Sequence, residues 1–315
     1  MKIVVLEGKA VSSDVLNWGI LGELGDVTIY ENSSEEDKWE KIKDADVVLV
    51  NKVLFNEEVF EKNPKLKYVG VCATGYNNVD LEAARSHNVA VTYAPAYSTP
   101  SVVQMTWAFI LELACRVHIH AKSVEQGDWS RSGVFTYTVA RITELTDKIL
   151  GIYGFGNIGR EVAKIAKAFG MKVLVCTKHP EKYEGEANFV SEEELFRKSD
   201  IISFHCPLTE ETREKVNKDT IDMMKDGVMI VNVSRGLVVN EADLRDALIS
   251  GKVAAAAVDV VSAEPIKEDN PLLSAPNIVI TPHIAWATIE AKQRLLDIVV
   301  ENLKAFLDGK ELNRV

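Results

Sequence analysis

The hydrophobic positions of the first hundred residues fall into short runs separated by stretches of mixed polarity. The runs are KIVVLEG, DVTIYE, ADVVLVNK, LKYVGVCATG and VAVTYAP, and they are rich in Val and Ile. Some of the spacers, such as SEEDKWEKIKD, have a helical pattern. Strands that alternate with helices predict parallel βα units, and apolar runs without polar alternation predict strands covered on both faces.

The pattern changes after Pro100 and then starts again. Residues 101–127 predict one long helix that begins after Thr99-Pro100 and ends at Gly127, and residues 128–147 predict an irregular segment. A second alternating series follows, with the runs KILGIYG, KVLVCT, DIISFHCPL, GVMIVNVS, VAAAAVDVV and NIVITPH. Residues 288–310 predict an amphipathic helix. The chain is therefore expected to be an α/β protein with two doubly wound parallel-sheet domains.

Composition narrows the class of protein. The 315 residues are 47% hydrophobic, which suits one large or two medium-sized globular domains. The formal net charge of -11 argues against nucleic acid or an anionic membrane surface as a partner. No run reaches the length of a membrane span, and the first residues do not predict a secretory signal. We therefore expect a cytoplasmic protein.

The cysteines do not have the spacing of a metal site. None of the four forms a C-x-x-C pair, and each lies in or beside an apolar run: Cys72, Cys115, Cys176 and Cys206. We expect free, reduced thiols and no bound metal.

One glycine motif predicts a dinucleotide site. Gly154, Gly156 and Gly159 form G-x-G-x-x-G directly after an apolar run and before a helical pattern. The first glycine permits a tight turn, the second permits close approach of a pyrophosphate, and the third permits packing of helix on strand. The alternative is a tight strand-to-helix turn that binds nothing.

The residues after the next strand leave the cofactor open. An acidic residue about 20 positions beyond the motif would bind the ribose hydroxyl of NAD. Thr177 stands at that place and Lys178 follows it. A neutral residue followed by a cation can accept the extra phosphate of NADP, so the sequence predicts NAD or NADP.

Five stretches together resemble the D-isomer-specific 2-hydroxyacid dehydrogenase family. They are GFGNIG, HCPLTEETR, MIVNVSRGLVVNEADL, AAAVDVVSAEP and NIVITPHIAWAT, and CATGYNNVD looks like the substrate loop of that family. YSTPSVVQ and HIAWAT look most like the glycerate dehydrogenase, or hydroxypyruvate reductase, branch. The resemblance implies a flavodoxin-like substrate domain of residues 1–99 plus 289–315 and a Rossmann-type cofactor domain of residues 100–288. It places the active site in the cleft between them and implies a homodimer.

Arg235, Glu264 and His283 are the predicted catalytic residues. Each follows a predicted strand, and the carboxyl ends of parallel strands meet at one edge of a sheet. Reduction of a 2-keto acid needs a proton on oxygen, which a histidine can donate and take back. Glu264 would favour the charged imidazole, and the planar fork of Arg235 suits a substrate carboxylate. Taken singly, each residue has an ordinary structural interpretation.

The resemblance implies further contacts around this centre. Predicted cofactor contacts, besides the glycines, Thr177 and Lys178, are Asn157, Ile158, Cys206, Pro207, Val233, Ser234, Arg235, Asp259 and His283. Predicted substrate contacts are Thr74, Gly75, Tyr76, Arg235, His283 and Trp286. Asp259 is expected to hold the nicotinamide carboxamide, with a strand-end cap as the alternative. Trp286 either shapes the pocket wall or only packs.

The predicted substrate is hydroxypyruvate/D-glycerate or glyoxylate/glycolate. Another 2-keto acid is the alternative within the same enzyme class, and a dinucleotide-sensing scaffold without activity is the alternative outside it. Phosphoglycerate is disfavoured because no regulatory domain is appended. Formate is disfavoured because its dehydrogenases place Gln where Glu264 stands. The 101–127 helix and the aromatic segment DWSRSGVFTY are the expected dimer contacts.

Overall fold

The computed structural model describes residues 1–12 and 16–315, and the chain divides into two compact units. One unit contains Met1–Ser98 and Trp286–Val315, and the other contains Thr99–Ala285. The boundaries drawn from the sequence lie one residue later at the first crossing and three residues later at the second. Each unit is built around its own parallel sheet.

The first unit has a five-stranded sheet. Its strands are β1 (Lys2–Val5), β2 (Asp26–Ile29), β3 (Val47–Val50), β4 (Tyr68–Val71) and β5 (Ala90–Thr92), in the order β2-β1-β3-β4-β5. Its helices are α1 (Gly8–Ser12), α2 (Lys38–Lys41), α3 (Glu57–Lys62), α4 (Leu81–Ser86) and α12 (Ile289–Leu307), with a 3-10 helix at Trp18–Glu23.

Both faces of this sheet are buried, as runs without polar alternation predict. Ile3 and Val5 belong to a core that includes the apolar face of α12, while Val4 belongs to a second core on the opposite face. Leu295 and Leu303 of α12 are fully buried in the first of these cores. The C-terminal helix is therefore an integral part of the N-terminal unit.

The second unit has a seven-stranded sheet. Its strands are β6 (Ile149–Tyr153), β7 (Lys172–Cys176), β8 (Asn188–Phe189), β9 (Ile201–Phe204), β10 (Val228–Asn232), β11 (Val253–Val258) and β12 (Ile278–Ile280). Their order is β12-β11-β10-β9-β6-β7-β8, and all pairs are parallel. The order reverses between β9 and β7 around β6, which is the topological switch point of a doubly wound sheet.

Helices cover both faces of this second sheet. They are α5 (Thr99–Cys115), α6 (Val117–Glu125), α7 (Asp128–Ser132), α8 (Asn157–Ala168), α9 (Glu192–Lys198), α10 (Lys218–Met223) and α11 (Glu241–Ser250). Three 3-10 helices lie at Pro180–Tyr183, Gly236–Val238 and Pro271–Ser274. Helices α5 and α8 share one core with β6, and α9, α10 and α11 contribute to the core of the opposite face.

The strands of the second unit end level with one another. Register pairs connect their last residues into one row across six strands: Cys176, Tyr153, Phe204, Asn232, Val258 and Ile280. Every loop that leaves this row therefore starts from the same edge of the sheet. This alignment is what brings distant stretches of sequence to one site.

Three sequence expectations for the second unit were wrong in detail. The predicted long helix is broken at Arg116, whose left-handed backbone (φ 53°) separates α5 from α6 by a bend of 60°. The segment expected to be irregular contains α7, and the two-residue strand β8 was not predicted. Among residues 1–12 and 16–315, no single helix is long and apolar enough to cross a membrane, and only the bent pair α5–α6 meets that test jointly.

Candidate active site

Three neighbouring strands each deliver one polar side chain to the same edge. Arg235 follows the end of β10 by three residues, Glu264 follows β11 by six, and His283 follows β12 by three. Since Asn232, Val258 and Ile280 lie in one row, these loops begin side by side. The sequence prediction that the three residues share one edge therefore has a structural basis within a single unit.

His283 and Glu264 form a direct pair. The imidazole Nδ1 lies 2.6 Å from Oε2 of Glu264, and the two side chains are 27% and 34% exposed. A carboxylate can only accept, so Nδ1 carries the proton and Nε2 is left to exchange one with a substrate. Partial exposure leaves the ring open to a ligand, and a pair with this geometry is chemically able to act as an oriented general acid/base.

The loop that carries His283 is held by Asp259. One carboxylate oxygen accepts from the Thr281 hydroxyl (2.5 Å) and from the backbone N–H of Ile284 (2.8 Å), and the other accepts from the backbone N–H of Ala285 (2.7 Å). The carbonyl of Asp259 also accepts from the His283 N–H at 2.8 Å. His283 has a left-handed backbone (φ 54°), so these bonds stabilise a conformation that is otherwise unfavourable.

Asp259 is therefore engaged at both oxygens by residues 281–285. Burial raises the pKa of its carboxyl, while the hydrogen bonds from Thr281, Ala285 and Ile284 act in the opposite direction. The contacts match the strand-end cap that the sequence left open as the alternative role. A contact to a nicotinamide carboxamide stays a prediction, and what the structure supports directly is positioning of the His283 loop.

Arg235 lies on a loop that is fixed while its guanidinium stays exposed. Asn232 accepts from the backbone N–H and the hydroxyl of Ser234 and donates to the carbonyl of Arg235 at 2.9 Å. Gly236 packs so closely that an added Cβ would lie 1.9 Å from the carbonyl oxygen of Val261. This close contact joins the loops after β10 and β11, which carry Arg235 and Glu264. One guanidinium N–H donates to the carbonyl of Ser234 at 2.8 Å. The other guanidinium donors suit a carboxylate.

The glycine motif has the geometry of a phosphate-binding turn. Gly154 has φ 99°, and a Cβ there would lie 2.7 Å from the backbone nitrogen of Cys206. A Cβ on Gly159 would lie 2.3 Å from the carbonyl oxygen of Gly154. At Gly156 an added Cβ would meet no atom within 4 Å. The first and third glycines are thus required by the protein itself, whereas the second borders open space.

The residues around Gly156 fit a dinucleotide. Gly156 is the N-cap of the 12-residue helix α8 and contributes no side-chain cap, so the first N–H groups of the helix are left for an external acceptor. Gly156 and Asn157 are exposed, whereas Ile158 packs against the core. Cys206 is buried behind the turn, and burial raises the pKa of its thiol to about 11, so the thiol is protonated at neutral pH.

The other predicted cofactor contacts lie along the same edge. Thr177 directly follows β7 and is half-buried, Pro207 is exposed, Val233 is half-buried and Ser234 is buried. Lys178 is exposed, and its ammonium lies 3.0 Å from each carboxylate oxygen of Glu211. Within the described ranges, no cluster of three or more His, Cys, Asp or Glu side chains forms a metal site.

Four of the predicted substrate residues lie in the first unit: Thr74, Gly75, Tyr76 and Trp286. The Thr74 hydroxyl donates to the carbonyl of Ala94 (2.9 Å), and Tyr76 packs edge-on against Tyr93 in the loop that also contains Gly75. Trp286 packs edge-on against Tyr97, and the Lys292 ammonium lies 5.8 Å from its ring centre. The indole therefore has a packing role within this unit, and its contact with substrate stays a prediction.

Sequence reasoning missed three residues of this edge. Thr281 and Glu211 could have been noticed as polar neighbours of predicted site residues, but their contacts span 22 and 33 positions of the chain. His205, the first residue of the stretch HCPLTEETR, was not predicted as a site residue. Its Nε2 lies 2.9 Å from the Ser203 hydroxyl, whereas its buried Nδ1 has no partner among the described residues. Burial lowers the pKa of His205 to about 3, so this imidazole is neutral.

Comparison with known proteins shows the family of the chain. Residues 107–285 match the family described as "D-isomer specific 2-hydroxyacid dehydrogenase, NAD binding domain". The chain is 47% identical to a hydroxypyruvate reductase from Blautia hydrogenotrophica, over 100% of the chain and 99% of the relative. It is 34% identical to a glycerate dehydrogenase from Methylorubrum extorquens, over 100% of the chain and 98% of the relative.

A solved structure covers the whole chain as well. The TT0316 protein from Thermus thermophilus superposes with a TM-score of 0.86 at 32% identity, with 100% of both chains covered. The resemblance to the glycerate dehydrogenase and hydroxypyruvate reductase branch, first noted in the five sequence stretches, is confirmed by the two relatives. The chain belongs to the D-isomer specific 2-hydroxyacid dehydrogenase family and is an NAD(P)-dependent oxidoreductase acting on CH–OH donors.

Proposed function

We propose that the protein reduces hydroxypyruvate to D-glycerate, with glyoxylate as a smaller alternative substrate. The observation that carries the proposal is the His283–Glu264 pair on one sheet edge with Arg235, which provides an acid/base and a carboxylate ligand. The choice of hydroxypyruvate is supported by the relative that is 47% identical over the full chain.

Each polar side chain of the site has a separate role in the proposed reaction. Arg235 binds the substrate carboxylate through two parallel donors and orients the keto group. His283 donates a proton from Nε2 to the carbonyl oxygen during reduction and takes it back during oxidation. Glu264 holds the ring through Nδ1 and stabilises the charged imidazole. Asp259 holds the loop of His283 in place.

The dinucleotide is held by the glycine turn, which is the G-x-G-x-x-G stretch of residues 154–159, and by the first turn of α8. The backbone at Gly156 and the first N–H groups of the helix bind the pyrophosphate, and Thr177 and Lys178 lie where the adenosine ribose binds. When bound, the nicotinamide supplies or accepts the hydride. Residues 205–207 and 233–235 line the same edge, and we assign them to the remaining cofactor contacts.

In the first unit, Gly75 and Tyr76 are proposed to bind the substrate carboxylate through backbone N–H groups, and Thr74 is proposed as a further substrate contact. Trp286 is proposed to limit the size of the substrate side group. Both assignments follow from the resemblance of CATGYNNVD and HIAWAT to the family motifs.

We also propose that the protein acts as a homodimer in the cytoplasm. Seven large apolar side chains are exposed on α6, α7 and the segment after it: Val117, Val124, Trp129, Val134, Phe135, Val139 and Ile142. Large apolar side chains exposed at this density along one segment favour an interaction surface there. The four free cysteines fit a reducing compartment.

A steady-state assay tests the proposed reaction. Purified protein is mixed with NADH or NADPH and with hydroxypyruvate, glyoxylate, pyruvate or phenylpyruvate, and oxidation of the reduced nicotinamide is followed by its absorbance. We expect the highest kcat/KM with hydroxypyruvate. A higher kcat/KM with phenylpyruvate or pyruvate would move the assignment to another 2-keto acid. Cofactor binding without turnover of any substrate would favour the scaffold alternative.

A further inference from the structure

We propose that Glu211 is a specificity-determining residue for the cofactor, and that its pairing with Lys178 makes the protein prefer NADH to NADPH. The inference rests on the proposed binding of a dinucleotide at the glycine turn. It concerns the end of the site where the two cofactors differ, since NADP has a phosphate in place of the ribose 2′-hydroxyl.

The ribose end of the site is determined by the contact between the glycine turn and β7. The Gly154 N–H donates to the carbonyl of Cys176, the last residue of β7, at 2.8 Å. Thr177 and Lys178 therefore leave the sheet directly beside the turn. In doubly wound nucleotide-binding sheets, this is the position of the residue that reads the ribose 2′ group.

Glu211 reaches this place from the other side of the turn. Its loop follows β9, and Gly154 lies against the backbone of His205 and Cys206 at the start of that loop. The loop has a defined shape, because the Thr212 hydroxyl donates to the carbonyl of Pro207 (2.7 Å) and accepts from the N–H of Thr209 (2.8 Å). The carboxylate of Glu211 is thereby directed back toward Lys178.

The pairing neutralises the cation that a 2′-phosphate would need. The Lys178 ammonium lies 3.0 Å from both carboxylate oxygens of Glu211. The next residue, His179, has its Nδ1 at 3.2 Å from Glu181. Both basic residues that directly follow Thr177 thus have a carboxylate partner. A phosphate dianion beside Lys178 would also be repelled by Glu211, whereas a ribose hydroxyl can donate a hydrogen bond to that carboxylate.

The pair can be removed without disturbing the fold. Both side chains are 69% exposed, and exposed ion pairs contribute little to folding stability. A change in cofactor affinity after substitution of Glu211 would therefore reflect the local charge. Glu210 offers a matched control, because it is an exposed glutamate in the same loop and its replacement removes the same charge.

The test measures the Kd of NADH and NADPH by fluorescence titration at one ionic strength, without a 2-keto acid. We expect the unmodified protein to bind NADH more tightly. Glu211→Gln should tighten NADPH binding about tenfold, the size of effect expected when one like charge is removed from a partly solvated contact. The Kd of NADH should change little, and Glu210→Gln should leave both values nearly unchanged.

A double substitution identifies the route of the effect. In the Glu211→Gln, Lys178→Met protein the gain in NADPH affinity should disappear, because the released ammonium provides it. Equal affinity of the unmodified protein for NADH and NADPH would overturn the proposal, and so would an equal gain in the Glu211→Gln and Glu210→Gln proteins. NADH preference that depends on Glu211 but comes without hydroxypyruvate turnover would overturn the proposed substrate and support the role of Glu211.

Discussion

Two histidines at the carboxyl edge of the second sheet lie in different surroundings. His283 has a carboxylate partner and partial exposure, whereas His205, directly after β9, has a buried Nδ1 and is kept neutral. Both histidines follow strands of the same sheet. Only the first has the surroundings of a residue that exchanges protons with a ligand.

Replacement of His283 should therefore reduce catalysis more than folding. We expect His283→Gln to lower kcat/KM for the preferred 2-keto acid by about 10²–10⁴-fold, the usual contribution of a general acid/base. Glu264→Gln should cause a smaller loss, because the imidazole remains. Glu268→Gln, an exposed acid in the same loop, is the control and should behave as the unmodified protein. Full activity of His283→Gln would contradict the assigned role.

His205 should make folding stability depend on pH. Its pKa is lowered from 6.5 to about 3 in the folded protein, so between these values the unfolded chain binds a proton that the folded chain does not. Stability is therefore complete above pH 6.5 and decreases as the pH falls toward 3. Urea unfolding at pH 6.5 and pH 5 should reveal a contribution of about 2 kcal/mol that is absent from His205→Gln.

The exposed His179→Gln protein serves as the comparison for His205→Gln. It should lose stability between the two pH values to the same extent as the unmodified protein. If all three proteins have the same dependence on pH, burial of a neutral His205 is not the cause.

At the scale of elements, the turn between β6 and α8 combines structural and functional glycines. Gly159 allows the helix to pack on the strand, while Gly156 borders open space at the helix N-terminus. The same three-glycine motif thus contains positions with opposite tolerance to a methyl group, and this difference can be measured.

Two alanine substitutions separate these roles. Gly156→Ala should unfold at nearly the same urea concentration as the unmodified protein, since its Cβ meets no protein atom within 4 Å, but it should bind the dinucleotide more weakly. Gly159→Ala should lose about 1–3 kcal/mol of unfolding free energy, because its Cβ would overlap the carbonyl of Gly154. Gly22→Ala, also in open space but in the other unit, should change neither property. Unchanged dinucleotide affinity in Gly156→Ala would contradict the assigned pyrophosphate site.

At the scale of the whole molecule, exposed large apolar side chains are concentrated in residues 117–142. No other segment of the described residues has as many of them over a similar length. Phe135 is 89% exposed, an unusual state for an aromatic side chain in a folded monomer. The break at Arg116 bends α6 away from the buried helix α5, so the segment does not continue along the axis of α5.

We expect sedimentation analysis to give twice the monomer mass for the unmodified protein. Replacing Trp129 and Phe135 together by serine should produce monomers, because association would lose its aromatic contacts. Ile249→Ser is the control: Ile249 is 63% exposed on α11, outside the segment, and its replacement should leave the dimer intact. A monomeric unmodified protein at micromolar concentration would exclude the proposed dimer.

Local patterns in the sequence were sufficient to predict the fold class and the positions of several candidate site residues. Apolar runs without alternation predicted two parallel sheets buried on both faces, because that property depends only on neighbouring residues. The sequence also predicted the glycine turn and the positions of Arg235, Glu264 and His283 after strands. These three residues could be placed together because the carboxyl ends of parallel strands share one edge.

Other features of the protein depend on contacts between residues far apart in the sequence, and only the tertiary structure determines them. The helix break at Arg116, the capture of the His283 loop by Asp259 and the pairing of Lys178 with Glu211 depend on which loops the sheet order brings together. Lys178 and Glu211 are 33 positions apart, and their loops meet only because β6 lies between β7 and β9. A lysine after a strand predicts an anion site, but the charge available there is set by its neighbours in the folded protein.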